Sequence, residues 1–340
     1  MRYRSALLAA GTAVAMTFAA GAALAGKQND RLVFLAEREP PSFDFFMQSN
    51  REGVILNRHI WDGLVRANPA TGEVTMGLAE SVRYIDATTI HVKLRQGVKF
   101  HNGDPMTAED VAYTFAFNNN PANRTVGRSR TDWVERVEVI GPYELKLHLP
   151  RPFPAAMEFI AGSLPIYPSD YAQEVGLQAF GQAPVGTGPY RYVSGDSGQF
   201  TLEAFDDYYT DGGKGTPSIQ TLNVRIIPDT ATRIAEVIGG NVEWIWNVPE
   251  DQVAQLDGLP HVTAELGSTM RIAMVAMDAA GRAKPDRPRA DVNVRRAINH
   301  AIDREGIVAN LVGGDGEVID VPCYPMQFGC DTSAAVTYDY

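Results

Sequence analysis

Cysteine is nearly absent from this chain of 340 residues: Cys323 and Cys330, in VPCYPMQFGCD, are the whole supply. Two thiols with no nearby histidine supply too few ligands for a zinc site. Positive charge is also short, with 30 Lys and Arg against 41 Asp and Glu, a formal net charge of -11. Such a chain gains nothing from phosphate backbones or anionic lipid surfaces, which excludes nucleic acid as a partner. The six histidines, at 59, 91, 101, 148, 261 and 300, are scattered, which speaks against direct metal ligation. No Gly-x-Ser-x-Gly, His-Glu-x-x-His or Ser-x-x-Lys arrangement is present, so the nucleophile and base of a hydrolase have no visible carrier. Gly186-Thr187-Gly188 lacks a following Lys-Ser/Thr pair and leads through Pro189 into a strand-like run, so it reads as a tight turn and not a phosphate loop.

Beyond the N-terminus no stretch is apolar for long enough to span a bilayer. At the N-terminus itself, Arg2 and Arg4 precede the uncharged run ALLAAGTAVAMTFAAGAALA, which ends in Ala23-Leu24-Ala25. This is the pattern of a cleaved secretory signal, residues 1–25, with a periplasmic mature protein. Losing the two arginines would take the charge from -11 to -13. No cysteine follows the cleavage point, so a lipoprotein anchor is not expected. In an exported protein Cys323 and Cys330 are expected to form a local structural disulfide, the alternative being two free thiols.

Apolar content of 45% and charged content of 21% are those of a globular chain, and the length suggests two or three domains. Strands and helices mix in irregular order. In TTIHVKLR, Ile90, Val92 and Leu94 alternate with polar residues. EVIGPYELKLHL reads as a hairpin turning at Gly141-Pro142, and YRYVSGDSGQFTLEAF repeats that logic. TLNVRIIP gives a further strand. Helical spacing places Ala231, Ile234, Ala235 and Ile238 on one face of DTATRIAEVIGG, which starts at Asp229 or Thr230. In VNVRRAINHAIDREGIVANLVGG the same spacing groups Val294, Ala297, Ile298 and Ala301, and each segment stops at paired glycines. The fold class is mixed α/β.

LRQGVKFHNGDPMTAEDVAYTF gathers His101, Asn102, Asp104, Glu109 and Asp110 within ten positions. Asn102-Gly103 is a turn dipeptide, Thr107 and Asp110 suit a capping box, and Glu109 suits the start of a helix dipole. His101 reads as a hydrogen-bonding loop residue. The cluster is a fold element and not a catalytic centre.

This stretch, extended back to LAESVRYIDATTIHVKLR, resembles the signature of the family 5 extracytoplasmic solute-binding proteins, the peptide and nickel receptors of ABC importers. IWDGLVRANPATGEVTMGLAES, PVGTGPYRYV, IIPDTATRIAEVIGGNVEWIW and the VNVRRAINHAIDREGIVANLVGG block are similar to further family elements in the same order. The resemblance covers most of residues 54 to 314.

The resemblance implies a type II periplasmic-binding-protein fold of two lobes plus an additional domain. Lobe I would comprise 26–72 and 184–269, the inserted extra domain 73–183, and the start of lobe II 270–340, opening with STMRIAMVAMD as a crossing strand. Family members continue well past the point matching Tyr340, so the chain is expected to be C-terminally incomplete, with lobe II truncated and apolar faces uncovered. The carboxylate that receives a peptide's amino group in relatives would lie beyond this point. The implied function is the substrate-binding component of an ABC transporter, monomeric and without cofactor or catalysis, which delivers a peptide to permease subunits in the inner membrane. Alternatives are a receptor for a nickel chelate, haem, an oligosaccharide or an opine, an exported hydrolase, or a non-binding remnant of a truncated gene. By resemblance, EREPPSFD is a cleft loop, with Glu39, Ser42 and Phe43 at a pocket rim. In NVEWIWNVPED, Val242, Trp244 and Trp246 share one strand face by alternation, with Trp246 and Asn247 near the lobe crossing. For both tryptophans a core position is the competing reading, favoured more strongly at Trp244. Arg271 could pair with a ligand carboxylate or with the opposite lobe.

Overall fold

A computed structural model describes residues 30–335, apart from 69–70, 163, 197, 268–270, 283–286, 313–315, 322, 326 and 328. The signal segment 1–25 lies outside the described residues. In chain order the first half comprises β1 (Arg31–Ala36), α1 (Arg51–Ile60), β2 (Val65–Ala67), β3 (Val74–Met76), β4 (Ala79–Asp86), β5 (Thr89–Leu94), α2 (Ala108–Asn119), β6 (Arg136–Gly141) and β7 (Glu144–His148). Then come α3 (Ala156–Ala161), α4 (Ser169–Phe180), β8 (Tyr190–Asp196), β9 (Gln199–Ala204), β10 (Thr221–Ile226), α5 (Thr230–Ile238), β11 (Trp244–Ile245) and α6 (Glu250–Asp257). The described chain closes with α7 (Val292–Ala301) and α8 (Arg304–Ile307).

One sheet has the order β11-β1-β10-β9-β8. Its first three strands run parallel, with Phe34 opposite both Val224 and Trp244, and β8 and β9 add on antiparallel. A central parallel strand buries both faces, which is why RLVFLA is almost continuously apolar. Val33 and Leu35 pack with Val242 on one side, while Phe34 and Ala36 join the main core on the other. The second sheet, β4-β5-β7-β6, is wholly antiparallel. There Ile90, Val92 and Leu94 face inward as their alternation predicts. One continuous core runs through both sheets, from Phe34 and Leu202 to Ile90 and Phe115. Each fully buried leucine or phenylalanine contributes about 1.5–3 kcal/mol.

The residues of the acidic stretch do structural work. Asp110 Oδ2 accepts from the backbone N–H of Thr107 at 2.8 Å, and its Oδ1 accepts from that of Ser169 at 2.8 Å, tying the start of α2 to the start of α4. His101 fixes the Gly-Thr-Gly turn: Gly186 N–H donates to Nδ1 at 3.2 Å, and Nε2 lies 2.9 Å from the Gly188 carbonyl. That pairing specifies the neutral ring protonated on Nε2. The turn lies so close to α1 that a Cβ on Gly186 would sit 2.1 Å from the Ile60 carbonyl oxygen, which only glycine avoids.

Two helical expectations need correction. On α5 the buried residues are Arg233 and Ile234, whereas Ala231, Ala235 and Ile238 are exposed. The helix is rotated because Arg233 turns its guanidinium inward to polar partners. The 292–312 pattern does not form one helix. Asp303 caps a new start by accepting from Gly306 N–H at 2.8 Å, so the chain breaks between α7 and α8, and α7 buries none of its residues. The expected crossing strand after residue 270 pairs with no strand among the described residues, and Met274 and Val275 are 68% and 63% exposed. An extended segment without an adjacent edge gains no ladder hydrogen bonds to hold it.

Candidate functional site

β1, β10 and β11 all point their C-terminal ends the same way, and the chain enters α1 on one side of β1 but reaches β11 through α5 on the other. Crevices for ligands form at such reversals in open α/β sheets. Four polar residues meet there. Glu37 follows β1, Asn247 follows β11, Arg51 opens α1, and Arg233 lies in the first turn of α5 after β10.

Arg233 is 1% exposed, yet its charge is accommodated. Nη1 donates to the carbonyls of Ile227 and Pro228 at 2.9 Å each. Nη2 donates to Thr230 Oγ1 at 3.0 Å and lies 3.2 Å from Glu37 Oε1. The same Glu37 oxygen accepts from Asn247 Nδ2 at 2.7 Å, and Asn247 Oδ1 accepts from Arg51 Nη1 at 2.6 Å. A buried arginine thus fixes a carboxylate, which orients an amide, which holds a second arginine at the surface. Asn247 has φ of 56°, the left-handed conformation that asparagine tolerates better than most residues. Asn50 caps α1 by accepting from Gly53 N–H at 2.8 Å and so sets the position of Arg51.

Beside this network Trp246 is half-buried, its ring 6.1 Å from Phe34, and its indole N–H is screened from solvent with no acceptor among the described residues. Trp244 packs edge-on against both Phe34 and Trp246, at 5.6 and 5.0 Å, but is 45% exposed, so it is the more open of the pair. Val242 does not share their face. It packs with Val33 and Leu35 on the α5 side, because the alternation breaks at Glu243, whose carboxylate accepts from Val33 N–H at 2.6 Å. The arrangement offers an aromatic wall, an indole donor, an amide and a guanidinium at one edge, groups suited to contact with the apolar surface and acceptors of a small molecule.

The other residues anticipated from sequence lie elsewhere. Glu39 is exposed on the loop after β1. Ser42 Oγ accepts from Asp44 N–H at 2.9 Å and pins that loop near Gly181. Phe43 packs in the core against Phe200 and Tyr192, at 5.1 and 5.2 Å. Arg271 is exposed. Cys323 and Cys330 are joined, with Cα atoms 5.7 Å apart. Glu37, Arg51 and Arg233 were not anticipated. An arginine on the face of α5 predicted to be polar gave no sign of being buried, and Glu37 is one of two glutamates in EREPPSFD that sequence cannot rank.

A second buried network braces the frame. Lys214 Nζ lies 2.7 Å from Asp62 Oδ1 and donates to the carbonyls of Trp61 and Arg58 at the end of α1. Tyr208 and Tyr209 donate to Asp62 Oδ2 at 2.9 and 3.0 Å. Burial, with the Asp62 charge beside them, pushes both phenols far up, so they remain donors. Among the described residues no cluster of His, Cys, Asp and Glu could hold a metal ion, and no helix is long and apolar enough to cross a membrane.

Residues 73–340 match the family described as bacterial extracellular solute-binding proteins, family 5, middle. The oligopeptide-binding protein AppA of Bacillus subtilis is 27% identical over 317 residues, which cover 89% of this chain and 56% of that protein. The glutathione-binding protein GsiB of Pectobacterium atrosepticum is 27% identical over 235 residues, 67% of this chain and 43% of that one. The chain therefore spans about half the length of these relatives. The solved structure of B. subtilis AppA in complex with a nonapeptide superposes with a TM-score of 0.71 at 25% identity, covering 88% of this chain and 58% of that one. That of AgaA from A. tumefaciens R10, in complex with agropinic acid, gives 0.62 at 28% identity, covering 68% and 46%. The fold is that of the type II periplasmic-binding proteins, and the chain belongs to the family 5 bacterial extracellular solute-binding proteins.

Proposed function

We propose that this chain is the solute-capturing part of an ABC importer's receptor, working in the periplasm without catalysis, and that it delivers a peptide or a compound of similar size to a membrane permease. The observation that carries this reading is the Glu37–Asn247–Arg51 relay beside Trp246 at the ends of the parallel strands. Its supports are family membership and the relatives' own ligands, an oligopeptide in one and agropinic acid in another. Trp246 N–H and the remaining donors of Arg51 would meet acceptors of the solute, and the indole faces would cover its apolar parts. The division into lobe I (26–72 and 184–269), an inserted domain (73–183) and the start of lobe II (270–340) belongs to the same proposal, with a monomer as the working unit.

Tryptophan fluorescence tests it. Trp61 and Trp133 are buried, so emission changes on solute binding would come from Trp244 and Trp246. Titration with a mixture of short peptides should give a saturable change that Trp246→Phe removes. Sustained hydrolysis of those peptides by the purified protein would overturn the receptor reading.

A further inference from the structure

The charges of the strand-end relay do not balance. Arg233 and Arg51 bring two guanidiniums to it, and Glu37 brings one carboxylate. The buried Arg233 takes the Glu37 charge, with Nη2 3.2 Å from Oε1, and the same oxygen also accepts from Asn247 Nδ2 at 2.7 Å. Arg51 is left with the surplus. Its Nη1 donates to the neutral Asn247 amide at 2.6 Å, and it forms no ion pair with any described residue. Glu52, the next residue along α1, is buried and does not pair with it.

The Arg51 side chain is nevertheless held in one orientation. Asn247 engages a single nitrogen of the fork and leaves the other donors open. Asn247 is fixed in turn by Glu37, and its φ of 56° belongs to a conformation that persists only where the surroundings impose it. Arg51 is also the first residue of α1, where the helix backbone favours negative charge and not positive. A brace in this place needs no guanidinium, because the partner it holds is an uncharged amide. One residue before Asn247, the Trp246 indole N–H has no acceptor among the described residues either. Open donors and an unmatched positive charge at one edge call for an anionic acceptor. A planar carboxylate fits a guanidinium fork through two parallel hydrogen bonds.

We propose that Arg51 selects the solute by charge, binding its carboxylate through the donors that Asn247 leaves open. A peptide then lies with its C-terminal carboxylate at the ends of β1 and β11. This inference rests on the receptor reading above and adds to it the charge and the direction of the bound solute.

Calorimetric titration of the full chain with the tripeptide Ala-Leu-Ala and with its C-terminal amide tests it. The acid should bind saturably and the amide about tenfold or more weakly. Arg51→Gln keeps an amide donor but no charge, so it should bring the acid down to the level of the amide and leave the amide unchanged. Arg51→Lys should restore part of the preference. Equal binding of acid and amide by the unsubstituted protein would overturn selection by charge and leave the receptor reading standing. A variant that loses both ligands in the same proportion would also overturn it, by showing that Arg51 only supports the fold. Binding of neither ligand would overturn the peptide-receptor reading and this inference together. The acid-to-amide comparison needs only the unsubstituted protein, so a variant that fails to fold does not remove the test.

Discussion

Asn247 Nδ2 lies 2.7 Å from Glu37 Oε1, so the second residue past β11 is tied to the residue that follows the neighbouring strand β1. That contact links the edge of the sheet to the charge buried under α5.

The Arg233–Glu37 pair should behave as a buried ion pair. Glu37→Ala leaves a guanidinium that is 1% exposed without its carboxylate and should lower unfolding stability by about 3–5 kcal/mol. Arg233→Met combined with Glu37→Leu should recover most of that loss. Urea unfolding of Glu37→Leu, Arg233→Met and the double variant gives the coupling, and additive losses would mean the pair is not a unit.

At Asn247 the backbone conformation and the side chain can be separated. Asn247→Gly keeps φ of 56° accessible and loses only the hydrogen bonds to Glu37 and Arg51, whereas Asn247→Ala adds about 1–2 kcal/mol of left-handed strain. Thermal unfolding should therefore rank the native chain above Gly and Gly above Ala. The reverse order of Gly and Ala would show that the conformation is not held.

Burial holds His101 neutral and lowers its pKa to about 4, although the nearby Asp62 charge favours protonation; Arg191 opposes it. The unfolded ring takes a proton near pH 6.5, the folded one only near 4, so its contribution is complete above 6.5 and is lost as pH falls through that window. The loss by pH 4 is roughly 2–3 kcal/mol. Chemical denaturation between pH 7 and 4 should show it, and His101→Gln should flatten the slope. An unchanged slope would assign the acid sensitivity to other groups.

Gly186→Ala would bring a methyl group to 2.1 Å from the Ile60 carbonyl, against backbone that cannot rotate away. A destabilisation of roughly 3 kcal/mol is expected, measured as a fall in Tm, and a shift of under a degree would show that the turn gives way.

Local patterns were legible in the sequence wherever one physical rule acted alone. The alternation of Ile90, Val92 and Leu94, the Gly141-Pro142 turn and the Thr107–Asp110 cap follow from side-chain period, turn chemistry and capping, and each is present. Trp246 and Asn247 were singled out by their expected place near a lobe crossing, with a core position the favoured reading for Trp246, and the structure places Trp246 half-buried beside Phe34. Arg233 was not, because a helical wheel assigns arginine to water and only the distant Glu37 makes its burial affordable. The phase of Val242 was lost because the Glu243 side chain replaces a ladder bond, which no periodicity encodes. The break at Asp303 was hidden by the apolar spacing that continues on either side of it.

The most direct test is native mass spectrometry of the protein recovered from an exporting host, with Asn247→Ala alongside. The account predicts a bound mass that leaves on denaturation from the unsubstituted protein and is depleted in the variant. Recovery of both proteins with no bound mass, or with equal amounts of it, would contradict capture at the ends of β1 and β11.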